Sequence, residues 1–488
     1  MLPTALERYR PIIDDWNAFL EYLSRPQPAT LRVNRLKADP AWVRARLAER
    51  GFHLEPYDWY PDLLRVERGP HSPGQTLEHW LGYFYLQEAA AAVPVLALDP
   101  QPGERVLDLS AAPGGKTTQM AERMGDEGLI VANDADARRL GALQHNVSRL
   151  GITAVAVTRV DGRRFPLGVP FDRVLVDAPC TAEGNARRSG RARRGAKLHQ
   201  IRRLASIQVS LLRRGLTLVR EGGVVVYSTC TFAPEENEAV VDEVVRAAGG
   251  AVVVEPLPPG LPGAPGVTAW EGRRFVPEVE LCRRIYPHHL DSGGMFVARL
   301  RRVGPLPWAA DGPAGEGSDA GPGWTEADPD LRARVVDWFR TRYGVDPAAF
   351  EGFHAFALGS ERGIWLARVP RVPGWPELRS VGIRAVRAHG VTWKPTSFGL
   401  TRFAATARRN VVDLDREELR ALLEGRRVAP PANLPEPLER GWVALRYDGA
   451  VIGCGLLLED RVTSALPQER AEELLSCLRR ESEGGRSP

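Results

Sequence analysis

Between residues 104 and 229, five short runs rich in β-branched residues alternate with stretches whose apolar side chains recur at helical spacing. The runs are ERVLDL (104–109), LIVAND (129–134), AVAVTRV (154–160), DRVLVDA (172–178) and GGVVVYST (222–229). Helical spacing marks 116–124, 136–150 and 201–220 between them. Apolar strands that alternate with amphipathic helices specify an α/β fold, a parallel sheet wrapped by helices. After the fifth run, APEENEAVVDEVVRAA opens with Pro234 and three acidic residues and predicts a helix N-terminus. RFVPEVELCRRIYP and GGMFVARLRR predict two closing strands.

In an open parallel sheet, ligands bind beyond the carboxyl ends of the strands, so the residues that follow each run carry the chemistry. They are Asp108 with the turn Ser110 to Lys116, then Asp134, Asp161, Asp177-Ala-Pro-Cys180, and Ser228-Thr229-Cys230. Each taken alone is ordinary turn chemistry; together they place polar and reactive groups on one rim. The turn LDLSAAPGGKTTQ superficially matches the phosphate loop G-x-x-x-x-G-K-[ST], but that pattern requires glycine where Ser110 stands. Pro113 also lacks a backbone donor that a phosphate cradle uses. A strand, glycines, a helix, and an acidic residue some 20 positions on fit a nucleotide ribose better; Asp134 lies nineteen residues after Gly115.

With 488 residues, the chain predicts two to four domains. Its longest apolar runs, such as VVVY at 224–227, fall far short of a bilayer span. The N-terminus MLPTALERYRPIIDDW mixes charges into its apolar residues and lacks a signal-peptide core, so a cytoplasmic location is expected. The five cysteines, Cys180, Cys230, Cys282, Cys454 and Cys477, contain no C-x-x-C pair, which argues against a disulfide framework and against a metal site. Cys282, Cys454 and Cys477 read as structural. Net charge is only +4, but Arg187 to Arg203 holds seven arginines and Lys197 with no acidic residue. That run reads either as a solvated face or as a nucleic-acid contact. Lysine occurs only at 37, 116, 197 and 394 against 65 basic residues in all, so Lys116 inside the turn points to a need for a compact ammonium.

The pattern divides the chain into an N-terminal lobe (1–100), a catalytic domain (101–302), a Gly/Pro/Ala-rich linker (303–325), a C-terminal accessory region (326–470) and a tail (471–488). LRVNRLK reads as a strand of the first lobe and DPAWVRARLAERG as its helix, while GIWLARV, VGIRAVRAH, GWVALRY and AVIGCGLLL read as strands of the accessory region.

DLSAAPGGKTTQ, VDAPCTAEG and YSTCTFAPEENEAVV together resemble the Sun/NOL/NOP family of S-adenosylmethionine-dependent RNA cytosine-5 methyltransferases, over roughly residues 28–301. GIRAVRAHGVTWKPTSFG and AVIGCGLLLEDRVTSALPQER more weakly resemble accessory domains of the YebU/RsmF type of 16S ribosomal RNA methyltransferase, which are PUA-like. The resemblance implies a Rossmann-like class I methyltransferase sheet, an N-terminal α+β RNA-binding lobe and a C-terminal α+β, PUA-like region. It implies that Ser110, Ala111, Ala112, Pro113, Gly114, Gly115 and Lys116 wrap the methionine end of S-adenosylmethionine. Asp134 would take the ribose hydroxyls, Asp161 would face adenine, and Asp177 would approach both cofactor and target base. Cys230 matches the attacking thiol and Cys180 the cysteine that assists release. The partner implied is RNA, 16S ribosomal RNA or the small subunit, with transfer RNA as the alternative, bound by a monomer without metal. The sequence departs from the pattern at Asp134, where Glu is common, and at TAEGNARR, where SGEG is more usual; the second departure bears on the base pocket.

The reaction explains this equipment. Carbon 5 of cytosine is too poor a nucleophile to attack a methyl sulfonium until a thiolate adds at carbon 6. The site must therefore favour thiolate, and Lys116 can help. Asp177 can stabilise charge that builds on the ring, and the base must be unstacked to be reached. A DNA cytosine-5 methyltransferase would attack from the Pro-Cys motif and lack the second, Thr-Cys, motif. A phosphate-loop triphosphatase would bind ATP, and a non-catalytic assembly factor would have no use for both thiols.

Overall fold

The computed structural model describes residues 4–168, 170–309, 324–358, 363–374, 377–389, 392–430 and 438–484. Its N-terminal lobe carries α1 (Thr4–Glu7), α2 (Trp16–Ser24), β1 (Thr30–Val33), α3 (Pro40–Glu49), β2 (His53–Tyr57), β3 (Tyr60–Arg68), α4 (Leu77–Trp80) and β4 (Phe84–Leu86). The strands form one sheet in the order β2, β3, β1, β4. Asp39 caps α3 by accepting from the Ala41 amide, and Pro40 occupies the first helical position, where no amide is needed. Val43 and Leu47 of that helix are buried with Leu31, Leu54 and Phe84. Helix α5 (Ala89–Leu98) follows; its sequence AAAAVPVLAL is apolar on every face, and it is buried on nearly every face between the lobe and the next sheet.

That sheet contains β5 (Arg105–Asp108), β6 (Leu129–Asn133), β7 (Val155–Thr158), β8 (Phe171–Asp177) and β9 (Val219–Thr229), all parallel. Helices α6 (Gly115–Arg123), α7 (Ala137–Leu150), α8 (Gly190–Arg193), α9 (Leu198–Leu218) and α10 (Glu238–Ala248) lie along the same stretch. β10 (Val252–Glu255), β11 (Ala264–Pro265), β12 (Arg283–Ile285) and β13 (Met295–Arg302) close the far side, with β13 antiparallel to β9. The spatial order β13, β9, β8, β5, β6, β7 reverses between β5 and β8. A crevice opens where neighbouring crossovers leave in opposite directions, and Asp108, the turn after it and Asp177, at the ends of β5 and β8, sit there.

Three expectations differ from the structure. Helix α10 begins at Glu238, not at Pro234, because Glu236 and Asn237 turn back into the protein: Asn237 donates to the Thr231 carbonyl at 3.0 Å and accepts from the Thr229 hydroxyl. Within RFVPEVELCRRIYP strand is confined to Arg274, at the end of a two-residue strand with Arg273, and to Arg283–Ile285; Pro277–Leu281 is a 3-10 turn, as suits a proline that cannot join a ladder. Residues 471–484, expected as a tail, lie in the helix Gln468–Gly484, which buries Leu474 and Leu478 against Leu77 and Trp80.

The C-terminal region holds two four-stranded sheets, one of His354–Leu358, Gly363–Ala367, Ile383–His389 and Thr392–Pro395, the other of Val411–Asp413, Gly441–Tyr447, Ala450–Leu458 and Arg461–Ser464. It is not detached from the central sheet. Leu378–Val381 pairs antiparallel with β7, Val381 opposite Ala156, and so covers an edge whose backbone groups would otherwise be open. Residues 310–323 of the expected linker lie outside the described residues. The C-terminus of α7 is a second junction. Asn34 donates to the Leu150 carbonyl at 2.8 Å, Lys37 to that of Arg149 at 2.8 Å, and Arg402 to that of Gly151 at 3.2 Å. Two cations from different parts of the chain thus sit on the negative end of one helix. Among the described residues no helix is long and apolar enough to cross a membrane.

Candidate active site

The turn between β5 and α6 is held from three sides. The Ala111 amide donates to the Asn133 carbonyl at 2.7 Å, the Ala112 amide to Asp134 at 3.1 Å, and Arg32 to the Gly115 carbonyl at 2.9 Å. Gly114 has φ +105°, a backbone conformation that glycine adopts freely, and a Cβ there would also press on Leu143 Cδ1 at 2.8 Å. The turn walls a cavity of about 460 Å³ lined by Ser110, Ala111, Ala112, Pro113, Gly115 and Lys116, with Asp108 and Asp177 beside them. Asp108 accepts from Thr117 at 2.6 Å through one oxygen, while the other is buried without a partner. Burial, aided by the Asp177 charge, raises its pKa to about 7.

Across the cavity, β8 and β9 bring the two cysteines together. Asp177 and Ser228 are register partners, and the Ser228 hydroxyl donates to Asp177 at 2.7 Å. Lys116 donates to the other Asp177 oxygen at 2.8 Å. Burial works against the Lys116 ammonium, but Asp177 and the neighbouring Cys230 sulfur outweigh it and raise its pKa. The sulfurs of Cys180 and Cys230 are 3.3 Å apart, and Asn185 Nδ2 reaches the Cys230 sulfur at 3.7 Å. A hydrogen bond from the Cys180 thiol lowers the pKa of Cys230 against the effect of burial, with help from Lys116. The same bond, together with burial, pushes Cys180 well above the ordinary thiol value. Of the two, Cys230 is therefore the sulfur that ionises first, with the Cys180 thiol as its hydrogen-bond donor. Cys180 and Cys230 are half-buried residues, whereas Cys282, Cys454 and Cys477 are buried.

The structure therefore brings together Ser110 to Lys116, Asp177, Cys180 and Cys230. Asp134 and Asp161 do not line the cavity. Asp134 is buried under the turn, bonded to the Ala112 and Asp136 amides and paired with Arg139 at 3.2 Å; Asp161 is paired with Arg163 at 2.6 Å. Asn185 and Glu88, also in the cavity wall, carry no motif that marks them in the sequence. The arginine run divides. Arg187 is buried against Asp291 and donates to the Pro26 carbonyl, Arg188 pairs with Glu88 at 2.6 Å, and Arg193 donates to the Ala186 carbonyl. Arg191 and Arg203 instead line a second cavity of about 530 Å³, which touches Cys180 and Asn185 from the outer side. Asp14, His288 and His289 also cluster, with both Nε2 atoms on the one carboxylate at 3.0 and 2.8 Å. His289 Nδ1 accepts from the Tyr286 amide, so its Nε2 carries a proton to donate to Asp14, and the cluster works as a clamp on the N-terminal segment.

Residues 95–301 match the family described as 16S rRNA methyltransferase RsmB/F, residues 2–89 the N-terminal domain of 16S rRNA methyltransferase RsmF, and residues 409–471 the methyltransferase RsmF PUA domain. The ribosomal RNA small subunit methyltransferase F of Aeromonas hydrophila is 32% identical over 463 residues, 92% of each chain. That of Vibrio vulnificus is 31% identical over 491 residues, 96% of this chain and 95% of its own. Among solved structures, a methyltransferase homologue from Pyrococcus horikoshii is 33% identical with a TM-score of 0.53, covering 62% of this chain and 100% of its own. NSun6 from the same organism, crystallised with SFG, is 25% identical with a TM-score of 0.54, covering 62% and 99%.

Proposed function

Since the chain belongs to the RsmB/F family of 16S rRNA methyltransferases and is an S-adenosylmethionine-dependent rRNA methyltransferase, we propose that it methylates carbon 5 of cytosine in 16S ribosomal RNA through a covalent bond from Cys230 to carbon 6. The observation that carries this reading is the 3.3 Å approach of the Cys180 sulfur to that of Cys230, which lines the cavity built from the glycine turn together with the paired Lys116 and Asp177. That cavity suits the cofactor: the partnerless oxygen of Asp108 offers a buried acceptor to its ammonium group. When bound, the cofactor supplies a methyl group on a positively charged sulfur.

The residues divide the work. The Cys230 thiolate adds to carbon 6, and the Cys180 thiol and Asn185 hold it until it does. Asp177, fixed through both oxygens by Ser228 and Lys116, faces the amine side of the base and accepts its hydrogen bond, and Lys116 balances the charge that develops on the ring. A base on the Cys180 side then takes the carbon 5 proton. The bonding pair of that carbon–hydrogen bond closes the carbon 5–carbon 6 double bond, and the Cys230 sulfur leaves with its own pair. At the other end of the cofactor, Asp134 and Asp161, just past the ends of neighbouring strands, would hold the ribose hydroxyls and the adenine. The RNA enters through the outer cavity, with its phosphates against Arg191 and Arg203. The enzyme works in the cytoplasm as a monomer.

The test is a pair of variants on 16S ribosomal RNA from cells lacking the enzyme. Cys230→Ala abolishes methylation without trapping RNA, whereas Cys180→Ala accumulates a covalent protein–RNA adduct. An adduct in Cys230→Ala would reverse the assignment, and preferential methylation of transfer RNA in a parallel reaction would replace the substrate.

A further inference from the structure

The two residues that follow the reactive cysteines are threonines, and the fold joins them. Thr181 and Thr231 hydroxyls are 2.8 Å apart. The Thr231 hydroxyl lies 3.2 Å from Glu183, which accepts from the Tyr9 hydroxyl at 2.8 Å. Thr181 leads to Glu236, whose carboxylate accepts both the Thr181 hydroxyl and, at 3.1 Å, the Thr181 amide. Gln208 completes the frame: its Nε2 donates to Glu236 at 2.8 Å and to the Pro179 carbonyl at 2.9 Å. The residues on either side of Cys180 are therefore fixed by one buried carboxylate and the amide that braces it.

The two cysteines depend on this frame unequally. Cys230 directly follows β9, whose last residues are paired on both sides, Ser228 with Asp177 and Thr229 with Phe296, and its carbonyl accepts from the Gly184 amide at 2.9 Å. Cys180 lies in a loop beyond β8, and among the described residues its sulfur bonds only to Cys230. We propose that Glu236, acting through Thr181, is a positioning residue for the release step: it holds Cys180 where the carbon 5 proton is handed over, and it bears on the attack by Cys230 only through the hydrogen bond between the two sulfurs. This rests on the covalent reading above. Glu236 is buried, burial raises its pKa to about 7, and nothing in the attack itself calls for an acid there. A glutamine in its place could preserve the frame: its carbonyl would accept the Thr181 and Gln208 N–H groups, and its amide would donate to the Thr181 hydroxyl.

The experiment uses the full chain, 16S ribosomal RNA from cells lacking the enzyme, and two readouts: methyl transfer in the first turnover, and RNA-linked protein retained under denaturing electrophoresis. With Glu236→Ala, steady-state turnover is expected to fall ~100-fold, the cost of an ångström-scale misplacement. Adduct should then build up as in Cys180→Ala, with the first turnover slowed much less than release. Glu236→Gln restores turnover and clears the adduct. If Glu236→Ala does not fold, as judged by circular dichroism, Gln208→Ala carries the test, with a raised adduct fraction expected. Wild-type adduct levels in the variant that folds, or first-turnover transfer lost in step with release, would overturn the proposal. If Cys180→Ala traps no RNA, the covalent reading fails first, and that outcome is separable because it does not involve Glu236.

Discussion

Removing Arg32 tests whether the N-terminal lobe holds the cofactor turn in shape. The guanidinium is fully buried and makes two bonds to Glu122, at 2.7 and 2.9 Å, with further bonds to Gln87, to the Gly115 carbonyl and to Thr118 at 2.9 Å. All five N–H donors of the side chain find acceptors. Arg32→Met leaves the Glu122 carboxylate buried without its cation, and burial alone already raises the pKa of that group. Breaking a buried pair from one side costs about 3–5 kcal/mol, whereas replacing both partners by apolar residues is often close to neutral. Glu122 and Gly115 both belong to α6, so the cost appears as local opening of that helix. Hydrogen exchange of the α6 amides should accelerate by roughly two to four decades in Arg32→Met, at 1.36 kcal/mol per decade. Most of that loss should return in Arg32→Met/Glu122→Leu. If the double variant exchanges as fast as the single one, the damage does not come from a stranded charge and the reasoning fails.

Ala182 adopts φ +61°, a left-handed conformation that costs a residue with a Cβ about 1–2 kcal/mol. Ala182→Gly should raise stability by ~0.5–1 kcal/mol after the added freedom of the unfolded chain is subtracted, seen as a higher melting temperature with activity retained. Glu236 gives the stability profile a sign: with a folded pKa of about 7 against 4.5 for the ordinary carboxyl, the native state keeps a proton that the unfolded state loses between those values. Its contribution is therefore full below pH 4.5 and is lost as pH rises through 7, by about 3 kcal/mol at most; Glu236→Gln should melt higher than the wild type at pH 8 and equally at pH 4. Arg191→Ala/Arg203→Ala should reduce the slope of log affinity for unpaired RNA against log salt by about 1.4, at 0.7 per phosphate lost, and an unchanged slope would mean that the RNA does not cross the outer cavity.

The sheet was legible because its strands are buried on both faces and its helices on one, a contrast that survives in the apolar spacing of residues 104–229. The cysteines, Asp177 and the glycine turn were legible because they follow strands directly, where the fold leaves little choice of direction. What depends on partners distant in sequence was not. The acidic run after Pro234 reads as a helix start, but Glu236 serves the Pro179–Thr181 loop instead, and the helix begins at Glu238. The basic run reads as one surface, but Arg187, Arg188 and Arg193 are taken up by Asp291, Glu88 and the Ala186 carbonyl. The addition of Leu378–Val381 to β7 could not be read either, since an edge strand of the central sheet looks in sequence like any other buried strand.

The scarcity of lysine gains a physical reading from where three of the four stand. Lys37 fits between the carbonyls of Leu81 and Arg149 at 2.7 and 2.8 Å, a gap that suits one ammonium; burial, with Arg149 and Arg402 nearby, pushes its pKa well down. Lys394 sits over the Trp442 ring, 4.7 Å from its centre. Lys116 touches a single oxygen of Asp177 while its charge is also felt by Cys230. An arginine there would present a planar fork that pairs with both carboxylate oxygens, displacing Ser228 and turning Asp177 away from the base. A point charge leaves Asp177 free to accept a further hydrogen bond and, in the proposed reaction, keeps positive charge beside the sulfur that attacks. In a chain that uses arginine for nearly all its cations, the lysine at 116 is thus explained by geometry: a point charge bonds one oxygen of Asp177, leaves the other to Ser228 and still acts on the Cys230 sulfur.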